Sequence, residues 1–236
     1  MGTLETSKSP ALEGQSILAF PFGSCEQHGP HMPLNTDTRI AESAAESLAK
    51  QRPNVMIGPS VSIGASGEHQ EFPGTLSIGN GALTHMAVEL GRSALPPDGS
   101  ELPQPFSAVL FINGHGGNVK ALDEAVALLV SESRRVAVWH PRVPGGDPHA
   151  GHTETSVMLH LHPDTVDMTL AEPGSAARFS EIGGQIATEG LQSVAPNGVL
   201  GDPTTANPSD GKRIFLAMVT DLISVLDRLA NLETSD

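Results

Sequence analysis

The sequence predicts an α/β fold: one domain of three layers, α/β/α, built on a mainly parallel sheet. Three observations carry that expectation. Short apolar runs of strand length alternate with longer stretches of good helix formers. Gly and Pro, 25 and 19 of the 236 residues, punctuate the junctions. No linker separates two apolar halves, so residues 16–232 are expected to form a single domain. Residues 1–15 are polar and are expected to be a flexible N-terminal segment.

The elements follow in order. Ser16 to Phe22 is an apolar run read as a buried strand that stops at Pro21-Phe22-Gly23. Asp37 offers a helix N-cap, and Thr38 to Lys50 is rich in helix formers. Val55 to Ile57 starts a second strand before Gly58-Pro59, and Ala82 to Leu95 reads as a helix ended by Pro96-Pro97. Residues 96–105 hold four prolines and a glycine and form an exposed connection too short to divide two cores. Ser107 to Asn113 is the clearest strand, and Val119 to Val130 the clearest helix after it. Arg135 to Trp139 gives a fourth strand, Thr153 to Leu161 a short helix, and Lys212 to Leu232 a long one with apolar residues at helical spacing.

Composition narrows the function classes. With 27 acidic and 13 basic residues the formal net charge is −14, which argues against a nucleic-acid partner, because such affinity rests on Lys and Arg. Seven Phe, one Trp and no Tyr leave little for stacking on single strands. No segment approaches the ~20 consecutive apolar residues of a membrane span. A lone cysteine, Cys25, makes no intrachain disulfide and suits a reducing compartment. These readings suggest a cytoplasmic protein without a membrane partner.

In a parallel sheet, the loops after the strand C-termini collect at one edge, where ligands bind. Three such loops hold potential metal ligands: Glu26-Gln27-His28-Gly29-Pro30-His31 running on to Asp37, Asn113-Gly114-His115-Gly116-Gly117-Asn118, and Asp147-Pro148-His149-Ala150-Gly151-His152-Thr153-Glu154. A single cluster of this kind would be read as solvated or capping side chains. Three, each after a strand, point to convergence. Carboxylates and imidazoles with no thiolate pair suit Zn²⁺, Fe²⁺ or Mn²⁺. Such ions generate a nucleophile from water at neutral pH.

Other site types fail on spacing. The chain has no G-x-x-x-x-G-K-[ST], no H-E-x-x-H and no G-x-S-x-G, and Gly114-His115-Gly116-Gly117 does not fit G-x-G-x-x-G. Cys25, beside Glu26, lacks the electropositive setting of a nucleophilic thiolate and is read as a packing residue.

These segments resemble the creatininase family of metal-dependent amidohydrolases. The likeness rests on Glu26-Gln27-His28-Gly29-Pro30-His31 with Asp37, Asn113-Gly114-His115-Gly116-Gly117-Asn118, His149-Ala150-Gly151 followed by Glu154-Thr155-Ser156, and Gly67-Glu68-His69 with Phe72-Pro73-Gly74-Thr75. It runs from about Ile17 to the C-terminal helix. Three stretches, 64–70, 145–156 and 198–205, are similar to the branch of the family that trims a modified precursor peptide. What this resemblance implies is hydrolysis of an amide bond, with release of a C-terminal Val–Tyr-derived dipeptide unit; a small cyclic amide or formamide substrate, or a non-catalytic metal-binding scaffold, are the alternatives. It also implies a homo-oligomer and two divalent ions per subunit.

Carried over residue by residue, the resemblance has Glu26, Asp37 and His115 holding one ion, and His28 with the shared Asp37 holding the second. This chain departs from creatininase at Gly117, where creatininase has a ligand Glu. Glu154 is the candidate to supply the missing ligand. His149 is the candidate general acid for the leaving nitrogen, or else a partner that orients Glu154. His31, Glu68 and His69 are expected to contact substrate, and the N–H groups around Gly116-Gly117 to help hold an oxyanion.

Overall fold

The computed structural model describes residues 2–9, 12, 16–97 and 99–231. Four strands form one all-parallel sheet in the order β2-β1-β3-β4: β1 Ser16–Phe22, β2 Val55–Ile57, β3 Phe106–Asn113 and β4 Val136–Trp139. The register pairs Ile17 with Val55 on one side of β1 and Ala108 on the other, and continues from Ile112 of β3 to Trp139 of β4. Because β1 is flanked by β2 and β3, successive connections leave it in opposite directions. The crevice between the C-termini of β1 and β3 is therefore the switch point at which open α/β sheets bind ligands.

Both faces of the sheet are covered, which is why β1 and β3 carry continuous apolar runs, 17–22 and 108–112, rather than alternating ones. On one face Ile17, Ala19, Leu110, Ile112 and Trp139 pack against α1 (Thr36–Gln51), α4 (His152–Leu161) and α6 (Pro208–Asn231). On the other, Leu18, Phe20, Phe22, Val109 and Phe111 meet α2 (Gly79–Ala94) and α3 (Val119–Ser131). Phe22 and Phe111 make an edge contact at 5.2 Å between ring centroids. The indole of Trp139 is buried, and its Nε1 donates to Asp221 of α6 (2.8 Å). These two apolar layers are the three-layer architecture expected from the alternating pattern.

Two features depart from the sequence expectation. A helix α5, Phe179–Glu189, occupies a stretch for which none was expected. Its interior glycines, Gly183 and Gly184, weaken the helical signal, and it closes at Gly190 with φ 79°. It anchors to the rest through a small separate cluster of Ile186, Leu191, Ala195 and Leu200. Part of the N-terminal segment, expected to be flexible, is docked: Ile57 N donates to Gly2 O (3.3 Å), and Leu4 packs against the second apolar layer. Met1, residues 10–11 and 13–15, and Leu232 lie outside the described residues. Among the described residues, no helix is long and apolar enough to cross a membrane.

Candidate metal centre

The loops after β1 and β3 place their polar side chains at the switch point. Asp37 was expected as an N-cap, but the cap position is Asn35, and Asp37 lies inside the first turn of α1 with its carboxylate turned inward and 2 % exposed. There Oδ2 accepts from Ser24 Oγ (2.8 Å) and lies 3.1 Å from His115 Nδ1, while Oδ1 lies 3.0 Å from His28 Nε2. His115 reaches Asp37 because residue 114 is glycine. A Cβ there would overlap the Asp37 carbonyl oxygen, so no side chain fits between the two loops. Asn118 ties the loops together, its Nδ2 donating to Gly23 O (2.9 Å) and its Oδ1 accepting from Ala65 N (2.9 Å).

Glu154 comes from the first turn of α4. Its Oε2 accepts from Ala150 N (2.6 Å), a bond made with Ala150 in the left-handed region at φ 54°. An alanine there is strained by about 1–2 kcal/mol, and the strain brings the loop back over its own helix. The third loop thereby joins the other two.

The carboxylates and imidazoles fall into three groups, each with its donor atoms within 4.8 Å of one another: Glu26, Asp37 and His115; His28, Asp37 and Glu154; and Glu26, His28 and His149. Among the described residues, the first two bring together the side chains expected to form the two ligand sets, with Asp37 common to both and Glu154 beside His28.

The donor chemistry fits divalent cations. Both Glu26 carboxylate oxygens are buried and accept no hydrogen bond, although His115 Nε2 lies 3.1 Å from Oε2 and His69 Nε2 lies 3.4 Å from Oε1. A buried carboxylate left so is costly unless a cation faces it. His28 Nδ1 lies 3.2 Å from the Glu26 carbonyl oxygen and donates to it, so in the neutral ring the Nε2 lone pair would face the Asp37 carboxylate. Two acceptors at 3.0 Å need a positive charge between them. Cys25 Sγ points away, towards Gly74 O (3.7 Å).

Electrostatics gives the same answer. Burial depresses the His28 pKa, yet the charge and hydrogen bond of Asp37 outweigh it and lift it to about 9. Burial is likewise outweighed at His115, where Glu26 and Asp37 hold the imidazole well above its usual range. Asp37 resists the upward push of burial and is held well below the carboxylate range by His28 and His115. Burial, aided by Asp37 and Glu26 against His28, lifts Glu154 to about 7. Without metal, protons collect where cations are wanted. By contrast, burial and the neighbouring histidines push His69 down to about 3 and His149 well below its usual range.

A cavity of about 820 Å³ opens onto these groups, lined on one side by Asp37, His115, His149 and Glu154 and on the other by Phe179, Ile186 and Ala187 of α5. Glu68 and His69, expected to meet substrate, line it, as do Gly116 and Gly117. His31 does not: it is 2 % exposed, with Nε2 bonded to Thr155 Oγ1 (2.8 Å) behind the cluster. Of residues 196–209, Leu200 reaches it. Sequence reasoning assigned no role to the α5 wall or to Gln27, whose buried carboxamide nitrogen lies 2.9 and 3.2 Å from two histidines of the site. The one signal for Gln27 was its place between Glu26 and His28.

A family model described as creatinine amidohydrolase (creatininase) matches residues 4–226. A mycofactocin precursor peptide peptidase of Mycolicibacterium smegmatis (strain ATCC 700084 / mc(2)155) is 47% identical over 223 residues, 92% of this chain and 87% of that protein. A protein of the same name from Mycobacterium tuberculosis (strain ATCC 25618 / H37Rv) is 45% identical over 233 residues, 94% of this chain and 88% of that protein. The solved structure of a creatininase variant of Zn–Zn type superposes with a TM-score of 0.81 at 22% identity, covering 96% of this chain and 97% of that one.

Proposed function

The chain belongs to the creatininase family of hydrolases acting on C–N bonds, and on that premise we propose that it is a metal-dependent peptidase of a modified precursor peptide. Its substrate is the mycofactocin precursor, from which it releases the C-terminal Val–Tyr-derived dipeptide unit. Names shared by relatives at 45–47% identity support the substrate. The observation that carries the chemistry is Glu26: both oxygens of a fully buried carboxylate accept no hydrogen bond, among Asp37 and three histidines that line a cavity roomy enough for a peptide end.

Glu26, Asp37 and His115 would hold one ion, and His28, Asp37 and Glu154 the second, with Zn²⁺, Fe²⁺ and Mn²⁺ all suited to these donors. Bound there, divalent ions lower the pKa of water and polarise the scissile carbonyl. His149 Nδ1 faces Glu26 Oε1 (3.9 Å) and Glu154 Oε2 (3.8 Å). Neutral at working pH, the imidazole takes up the proton of the attacking water and delivers it to the leaving nitrogen. The N–H groups of Gly116 and Gly117, where no side chain blocks approach, hold the developing oxyanion. Glu68 and His69 contact the substrate at the cavity wall. The same premise carries a homo-oligomeric, cytoplasmic enzyme, and sedimentation velocity checks the assembly.

Incubating the modified precursor with metal-loaded enzyme releases the dipeptide unit, detected by mass spectrometry. Intact precursor alongside hydrolysis of a small cyclic amide would overturn the peptide reading and leave the family assignment standing.

A further inference from the structure

We propose that Gln27 is a positioning residue that sets the tautomers of two imidazoles at the centre, making His69 an N–H donor towards Glu26 and leaving His149 with a bare Nδ1 towards the carboxylates. The inference rests on the hydrolase reading for its consequence but not for its geometry. Gln27 is 6 % exposed, and two backbone groups fix which way its carboxamide points: Gly29 N donates to Oε1 (2.8 Å), and Nε2 donates to Gly198 O (3.1 Å). An amide N–H cannot accept and a carbonyl cannot donate, so the flip that usually leaves a carboxamide ambiguous is closed here. Gly198, at φ 74°, leaves the room: a Cβ there would overlap Gln27 Oε1 and Cδ.

The remaining proton count settles the histidines. One Nε2 hydrogen of Gln27 goes to Gly198 O, and the other points to His69 Nδ1 at 2.9 Å. His69 Nδ1 must therefore accept, so its proton sits on Nε2, which lies 3.4 Å from Glu26 Oε1. His149 Nε2 lies 3.0 Å from the Gln27 main-chain carbonyl oxygen, an obligatory acceptor, and 3.2 Å from Gln27 Nε2, whose protons are already committed. His149 Nε2 thus carries the hydrogen and donates it to the main chain. Its Nδ1 lone pair is left for the groups 3.8 and 3.9 Å away, Glu154 and Glu26.

The consequence is a division of labour between two rings packed 4.6 Å apart. His69, in this tautomer, cannot ligate through Nε2; it turns its N–H towards Glu26 Oε1 (3.4 Å) and leaves Oε2 to a cation. His149 presents a basic nitrogen to the reaction centre. A single side chain and its own carbonyl set both.

The test is a long-range ¹H–¹⁵N correlation spectrum of the Zn²⁺-loaded enzyme, which separates the two neutral tautomers without any substrate. In the wild type, His69 is expected to show the neutral Nε2–H pattern; an Nδ1–H or doubly protonated pattern would overturn the proposal, whatever the enzyme hydrolyses. In Gln27→Glu an acceptor replaces the donor facing His69 Nδ1, and the ring is expected to move to the Nδ1–H or cationic pattern. In Gln27→Met, isosteric and unable to donate, the Nε2–H pattern is expected to be lost as the sole form. With the precursor as substrate, both variants are expected to lose about 10–100-fold in kcat with KM held within about threefold, the scale seen when a partner orienting a metal-site residue is removed. An unchanged His69 pattern and wild-type kcat in both variants would overturn it.

Discussion

The cavity has two walls built on different principles. On the cation side, Glu26, His28, Asp37 and His115 come from the ends of β1 and β3 and the turn that opens α1; none is more than 4 % exposed, and each has a donor atom within 4.8 Å of one from another loop. On the other side, α5 carries Phe179, 57 % exposed, on a helix interrupted by two glycines and attached through a four-residue apolar cluster. Strand ends inherit the rigidity of the sheet, so donor atoms can be placed to within a few tenths of an ångström. The opposite wall belongs to neither main apolar layer and opens at a lower free energy. The candidate ligands sit where the fold is stiff, and the facing wall where it can give.

Substitutions can break or sharpen that contrast. Asp37→Asn removes the carboxylate shared by both ligand sets and is expected to have the largest effect. Bound metal should fall towards zero by mass spectrometric metal analysis, and kcat by about 10³-fold or more, since the ions supply several kcal/mol of stabilisation. Full metal content in this variant would refute the shared-ligand arrangement. Glu154→Ala comes next: one ion should be lost and one retained, with kcat down by about 10²–10³-fold. Unchanged stoichiometry would remove Glu154 from the ligand set.

Across the cavity the effects should be smaller and of another kind. Phe179→Ala is expected to raise KM about fivefold, from roughly 1 kcal/mol of lost apolar contact, with kcat unchanged. A fall in kcat at constant KM would place α5 in the chemistry and dissolve the contrast. The smallest effect is expected at Ala150→Gly. It relieves about 1–2 kcal/mol of left-handed strain but gives up a buried methyl worth about 0.8 kcal/mol, so Tm should rise by no more than about 4 °C. A lower Tm would show that the loop over α4 is held by packing rather than under strain.

Much of this molecule was legible before any coordinates. The apolar run 16–22 and the alternation of strand and helix led to the all-parallel sheet, because local periodicity follows from which faces must be buried. The candidate ligand residues were legible because they sat in polar segments that follow apolar strands. The N-cap reading of Asp37 went wrong by local logic: a carboxylate before a helix-rich stretch looks like a cap, and only His28, folded back within the same loop, and His115, brought in from the loop after β3, turn it inward. Helix α5 was hidden by Gly183 and Gly184, whose poor propensity is overridden by packing of Ile186 against Leu191 and Leu200.

The sequence by itself determined the layers, the kind of donor atom available and the loops that carry them, since these depend on residue type and short-range spacing. Which donors meet was expected from the family resemblance but not from residue type and spacing, and the tertiary structure decided it. Asp37 serves two groups, Glu154 stands with His28, and His31 turns away to Thr155. It also decided that Gln27, a neutral amide with no signal of its own, reaches two histidines 42 and 122 residues distant. The physical reason is that hydrogen-bond direction and charge proximity are properties of space rather than of chain order, and strand order 2-1-3-4 is what converts one into the other.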